Sequence, residues 1–169
     1  MRTEGQPAAP LPDASAFRFA VIVSRFNDAV TDSLRDAAVS ALKEAGAADG
    51  HVHLFSVPGA FELPQAARAA AETGRFDAVV CLGCIIRGET PHFEYIASAV
   101  AHGITDAAGE TGVPMAFGVL TTDTLEQAAA RSGSGPDNKG REAAAAAIEM
   151  AALYKSLTGG SSRPFGFRA

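Results

Sequence analysis

Two hydrophobic patterns alternate along this chain. Phe17 to Ser24 is a nearly unbroken apolar run of the kind a strand buried on both faces needs. Val30, Leu34, Ala38, Ala41, Leu42 and Ala45 then recur near helical spacing, so a helix is predicted from about Val30 to Ala45 with Gly46 as its stop. His51 to Val57 reads as a second strand. Pro64 suits a first helical turn and opens a helix to about Thr73, which Gly74 ends. Ala78 to Ile86 is the third strand, followed by a long helix from about His92 to Ala107. Pro114 precedes a fourth strand, Met115 to Leu120. Two helices close the pattern, about Thr124 to Arg131 and Lys139 to Leu157. The alanines from Ala143 to Ala147 form helix readily and allow close packing.

Strands that alternate with helices, joined by connections long enough for crossovers, imply a doubly wound α/β domain whose parallel sheet is covered on both faces. Its predicted extent is 17–157. Residues 1–16, rich in Pro and Ala, read as a flexible arm, and 158–169 as an irregular tail.

In such sheets ligands bind beyond the carboxyl ends of the strands. Four unusual segments fall there. Ser24-Arg25-Phe26-Asn27 follows strand one, and Pro58-Gly59-Ala60-Phe61-Glu62 follows strand two. Arg87-Gly88-Glu89-Thr90-Pro91-His92 follows strand three, and Thr121-Thr122-Asp123 follows strand four. One shared site is the economical explanation for so much Gly, aromatic and ionisable content in connecting loops.

Composition narrows the class. A chain of 169 residues can bury a core without staples, and 47% hydrophobic content excludes a disordered chain. The formal net charge of −5 argues against a nucleic-acid partner. No apolar run approaches a membrane span and the first sixteen residues resemble no signal peptide, so a cytoplasmic protein without a membrane partner is expected. The two cysteines, Cys81 and Cys84, form a C-x-x-C pair inside the third strand. Residues three apart on a strand point to opposite faces, so redox pairing is disfavoured and both read as packing residues. No metal-ligand spacing joins them to the four histidines.

The residue types suggest roles. Phe26, flanked by Arg25 and Asn27, suits an exposed ring for stacking on a flat heterocycle. Gly59 allows close backbone approach to a ligand. Glu62 has two open readings, a hydroxyl-binding carboxylate or a cap for the following helix. Gly88 and Thr90 at a helix N-terminus make an anion site, and His92 beside it can give and take protons near neutral pH. Arg131 suits bidentate phosphate binding or a solvated position, and spacing alone favours the second. Gly135 to Gly140 falls short of a P-loop, lacking its Lys and Ser/Thr and following a helix. A receiver domain is excluded because strand one ends in Ser24-Arg25, and a flavodoxin because no Thr/Ser-Gly phosphate loop follows it.

Taken in order, Ser24-Arg25-Phe26-Asn27, Pro58 to Glu62, Gly83 to Tyr95, Phe117 to Thr121 and Asn138-Lys139-Gly140 resemble the 6,7-dimethyl-8-ribityllumazine synthase family. The resemblance runs from about Phe17 to Leu157. It implies a flavodoxin-like three-layer sandwich with a four-stranded parallel sheet, the arm adding an edge strand to a neighbouring subunit. It implies the penultimate step of riboflavin synthesis, in which 5-amino-6-(D-ribitylamino)uracil condenses with 3,4-dihydroxy-2-butanone 4-phosphate without a cofactor or metal. By the same resemblance Phe26 stacks on the pyrimidine, Ala60, Phe61 and Glu62 hold the ribityl chain, and Cys84, Ile85 and Ile86 line the pyrimidine pocket. Glu89 and Thr90 meet the phosphate and His92 transfers protons. A neighbouring subunit supplies Phe117 and Arg131, the latter on the phosphate with Lys139 nearby. The implied assembly is a homopentamer, with a 60-subunit shell and riboflavin synthase as its further partners. Two departures stand out: Cys84 where small apolar residues are frequent, and an acidic Glu89 beside the phosphate. The rival readings are an archaeal-type riboflavin synthase and a non-catalytic lumazine-binding or shell-forming protein.

Overall fold

The apolar runs become four strands, β1 (Phe19–Ser24), β2 (Val52–Val57), β3 (Ala78–Ile86) and β4 (Met115–Thr122). The periodic segments become α1 (Asp28–Glu44), α2 (Leu63–Glu72), α3 (His92–Thr111), α4 (Leu125–Arg131) and α5 (Lys139–Leu157). This computed structural model describes residues 10–159. All strand pairings are parallel, in the order β2-β1-β3-β4. The expected doubly wound sheet is therefore present.

Period-2 alternation divides the core between the two faces. Phe19, Val21, Val80, Leu82 and Cys84 join Leu34, Leu42 and Ile148 under α1 and α5. Ala20, Ile22, Val79, Cys81 and Ile85 join Leu63, Val100 and Ile104 under α2 and α3. Burying each larger aliphatic side chain contributes about 1.5–3 kcal/mol. Cys81 and Cys84 lie on opposite faces, as their spacing predicts.

One helix crossing is set by a missing side chain. A Cβ at Gly140 would stand 2.6 Å from the Leu34 carbonyl carbon, so α5 crosses α1 backbone against backbone. Asn138, itself buried, fastens the preceding loop. Its Nδ2 donates to the carbonyls of Ser132 (2.9 Å) and Gly133 (3.0 Å), and its Oδ1 accepts from Gly140 N–H (2.8 Å).

Several boundaries differ from the sequence reading. β4 runs on to Thr122 because Thr121 and Thr122 pair with Ile85 and Ile86, so these threonines are ladder residues and not loop. α3 continues beyond Ala107 to Thr111 and ends where Gly112 takes φ 68°. A 3-10 turn, Ala60–Glu62, precedes α2. Coverage of the sheet also stops short at the β2 edge, where Leu54 and Phe55 are exposed. The inner end of the arm is fastened: Ala14 is buried and donates its N–H to the Ala45 carbonyl (2.8 Å). The outer arm, 1–9, and most of the tail, 160–169, lie outside the described residues.

Candidate active site

The strand order reverses between β1 and β3, since β1 leads out to β2 on one side and β3 to β4 on the other. A crevice opens at the carboxyl ends at such a point. The loop after β1 is pinned on both sides of it. Arg25 N–H donates to the Val57 carbonyl (2.9 Å) and Phe26 N–H to the Pro58 carbonyl (3.2 Å), extending the β1–β2 ladder past the strand. Asn27 then takes φ 61°, a left-handed conformation that Asn tolerates better than most residues. Its Nδ2 donates to the Cys84 carbonyl (3.0 Å) and its own carbonyl accepts from Val30 and Thr31 at the start of α1. With its neighbours held, Phe26 leaves 67% of its surface exposed.

The second segment meets that ring. A Cβ at Gly59 would fall 2.7 Å from Phe26 Cδ2 and 2.9 Å from Cε2. Only Gly lets the ring lie there. Glu62 Oε2 accepts from Gly59 N–H (2.9 Å), which ties the two ends of the 3-10 turn together. The carboxylate thus closes the 3-10 turn and makes no capping bond to α2, and only one of its oxygens is engaged. Ala60 is buried and Phe61 half-exposed.

At the end of β3, Cys84 and Ile85 are buried and Ile86 half-buried. Burial pushes the Cys81 thiol up to about 12 and the Cys84 thiol up to about 11. Buried thiols raised in this way and set on opposite faces of the sheet suit packing and not redox pairing. Beyond them Gly88, Glu89, Thr90, Pro91 and His92 are all exposed. No side chain caps α3; the one backbone bond at its start runs from Glu94 N–H to the Pro91 carbonyl (3.0 Å). A long helix with an open N-terminus next to Thr90 is competent to receive an anion.

Three predicted residues stand apart from this crevice. Phe117 pairs with Cys81, three residues behind the Cys84 level, which is about 10 Å along the strand. It is nonetheless 45% exposed, on a face that α3 leaves open. Arg131 ends α4, whose Ala128 packs into the α1/α5 layer, whereas α3 and His92 belong to the other layer. Its Nη1 donates to the Gln127 carbonyl (2.9 Å). Lys139, at the start of α5, is paired with Glu142. A groove of about 520 Å³ between α1 and the 133–138 loop holds none of the predicted residues, and its Arg141 is tied to Glu44.

Residues 16–155 match the family model described as 6,7-dimethyl-8-ribityllumazine synthase. A protein of that name from Syntrophus aciditrophicus (strain SB) is 51% identical over 144 residues, covering 85% of this chain and 94% of the relative. The chain belongs to this lumazine synthase family. Cys84, 3% exposed, packs as a small apolar side chain. Glu89 is exposed, so its carboxylate has room to face solvent.

Sequence reasoning missed two residues that shape the crevice. Asn27 stood only as a polar neighbour of Phe26, yet it joins β1 to β3. Arg87 carried no assigned role, yet its guanidinium reaches two acids and a ring at the crevice. Its Nε donates to Asp123 Oδ1 (2.6 Å), its Nη1 to Glu94 Oε1 (3.2 Å), and its guanidinium lies 4.5 Å from the Phe93 ring centroid. Hydrogen bonding to Asp123, and then to Glu94, raises its pKa further. Sequence carried a partial signal, since an acid seven residues beyond Arg87 sits on the helix its own loop opens.

Proposed function

We infer that this protein condenses 5-amino-6-(D-ribitylamino)uracil with 3,4-dihydroxy-2-butanone 4-phosphate to give 6,7-dimethyl-8-ribityllumazine, phosphate and water. Family membership supports the reaction. The geometric observation that carries it is the Phe26 ring, held two-thirds exposed against Gly59 at the strand-order reversal. Such a platform accepts the face of a pyrimidine. The Ala60–Glu62 turn beside it suits the ribityl chain, with the free carboxylate oxygen of Glu62 accepting from its hydroxyls. Cys84, Ile85 and Ile86 offer mainly backbone groups to the pyrimidine edge.

The second substrate brings a phosphate, which the open start of α3 can receive through backbone N–H groups, the Thr90 hydroxyl and the helix dipole. Glu89 contributes its N–H there and turns its carboxylate to solvent. His92 then moves protons during imine formation, phosphate loss and ring closure. None of these steps needs a protein nucleophile, so holding two substrates together supplies much of the acceleration.

A second copy of the chain completes this site. Phe117 closes the pyrimidine pocket, Arg131 clamps the phosphate and Lys139 stands nearby, all from a neighbouring subunit. The separation of these residues from the crevice supports that reading, as do exposed Leu54 and Phe55 on the β2 edge, where a neighbour's arm can add a strand. The assembly is a pentamer, with further association into a 60-subunit shell that riboflavin synthase can join. The enzyme works in the cytoplasm, and among the described residues no helix is long and apolar enough to cross a membrane.

Mixing the two substrates with the protein and following lumazine absorbance and fluorescence tests the reaction. Lumazine formation is expected. Conversion of supplied lumazine to riboflavin, or binding without turnover, would overturn it. Sedimentation distinguishes a pentamer from a shell.

A further inference from the structure

The loop that carries the anion site and His92 is short of internal fastening. Gly88 to His92 are exposed, and α3 begins without a side-chain cap. An uncapped first turn frays unless something outside the helix holds it. Here the holding group is one side chain that precedes the loop.

Arg87 continues the β3–β4 ladder, its N–H donating to the Thr122 carbonyl (2.9 Å). Its guanidinium then spans two elements. On one side it bonds Asp123, whose position is fixed: Asp123 N–H donates to Gln127 Oε1 (2.9 Å), while Gln127 N–H donates to the capping hydroxyl of Thr124 (3.2 Å). On the other side it bonds Glu94 and stacks on Phe93, the two residues immediately after His92. Phe93 in turn packs against the α2/α3 core. Arg87 thus ties the first turn of α3 to the rigid end of β4, with His92 at the edge of the tie.

We propose that Arg87 is a positioning residue, which sets the place of His92 by clamping Phe93 and Glu94 to Asp123. The proposal rests on the acid–base role of His92 given above. Each ion pair is exposed and adds little to global stability, so the consequence lies in placement. Small misplacements of a reacting group are costly to rate.

The test compares the full-length assembled enzyme with Arg87→Ala, Arg87→Lys, His92→Ala and the double variant Arg87→Ala/His92→Ala, measuring kcat and KM for each substrate alongside thermal unfolding. Arg87→Ala should lower kcat roughly tenfold to a hundredfold, leave the KM values within about threefold, and unfold close to the wild-type temperature. Arg87→Lys should recover part of kcat, keeping the charge but losing the fork. In the His92→Ala background, removing Arg87 should change kcat little, because the group it positions is gone. Asp123→Asn, which weakens the same clamp from its other end, should reproduce the kcat loss if Arg87→Ala does not fold. Independent, multiplying losses in the double variant would overturn the positioning role. So would a loss confined to KM for the phosphate substrate, which would make Arg87 a direct ligand. Full activity in His92→Ala would remove the acid–base role itself, and the role of Arg87 with it.

Discussion

The crevice between β1 and β3 and the edge formed by β4, α4 and α5 are built on opposite terms. In the crevice, backbone bonds and two side-chain bridges converge: Arg25 and Phe26 on the β2 side, Asn27 on Cys84, Glu62 on Gly59. At the edge the residues of interest diverge. Phe117 lies three residues behind the strand end on one face, while Arg131 belongs to a helix packed on the other. The protomer therefore presents the Phe26 platform in one place and the half-exposed Phe117 ring and the Arg131 cation in others. That separation fits the proposed head-to-tail sharing, in which each copy lends its edge to the next copy's crevice.

Substitutions in the two regions should separate by the parameter they change. His92→Ala belongs to the crevice and is expected to lower kcat by about 10²- to 10⁴-fold while leaving measurable turnover, since substrate proximity survives. Equal turnover at saturating substrate would contradict the acid–base role. Arg131→Ala belongs to the edge and should raise KM for the butanone phosphate by about tenfold to a hundredfold, with KM for the pyrimidine nearly unchanged. A pure kcat loss would break the distinction. Phe26→Ala should weaken pyrimidine binding about threefold to tenfold without lowering thermal stability, because its ring is mostly exposed.

The smallest effect lies outside both regions. The Arg141 hydrogen bond holds the Glu44 carboxyl down to about 2, from an ordinary value of 4.5. A depressed acid stabilises the fold fully above its unfolded value and loses that contribution as pH falls through its folded one. Stability contributed by this pair should therefore fade between about pH 4.5 and about 2. Arg141→Ala should flatten the pH dependence of unfolding in that window and leave neutral-pH turnover intact. Glu44 is exposed and Arg141 only partly buried, so the change is slight.

The sequence was most readable where one physical requirement acted alone. β3 lies in the middle of the sheet with eight of its nine residues buried, and its apolar run has the observed limits, Ala78–Ile86. The exposure of Phe26 was legible as well, because an aromatic between polar residues at a strand end has few structural uses. Less legible were positions where distant backbones meet. Gly140 looked like part of a motif, but its reason is the Leu34 backbone, more than a hundred residues away in sequence. Thr121 and Thr122 looked like loop because the apolar run stops at Leu120, yet their pairing with Ile85 and Ile86 continues the strand. Arg87 was hidden for the same reason: its meaning depends on Asp123, which only the β3–β4 register brings beside it.

Complementation between two impaired chains, assayed with the butanone phosphate well below its KM, tests the proposed sharing of the site most directly. Chains carrying His92→Ala and chains carrying Arg131→Ala are mixed as unfolded protein in equal amounts and refolded together, and turnover is compared with each variant refolded alone. If every crevice borrows its edge from another copy, random mixing joins an intact crevice to an intact edge in about a quarter of sites, and activity should recover to that level. Activity no higher than the mean of the two variants would mean that His92 and Arg131 serve the same protomer.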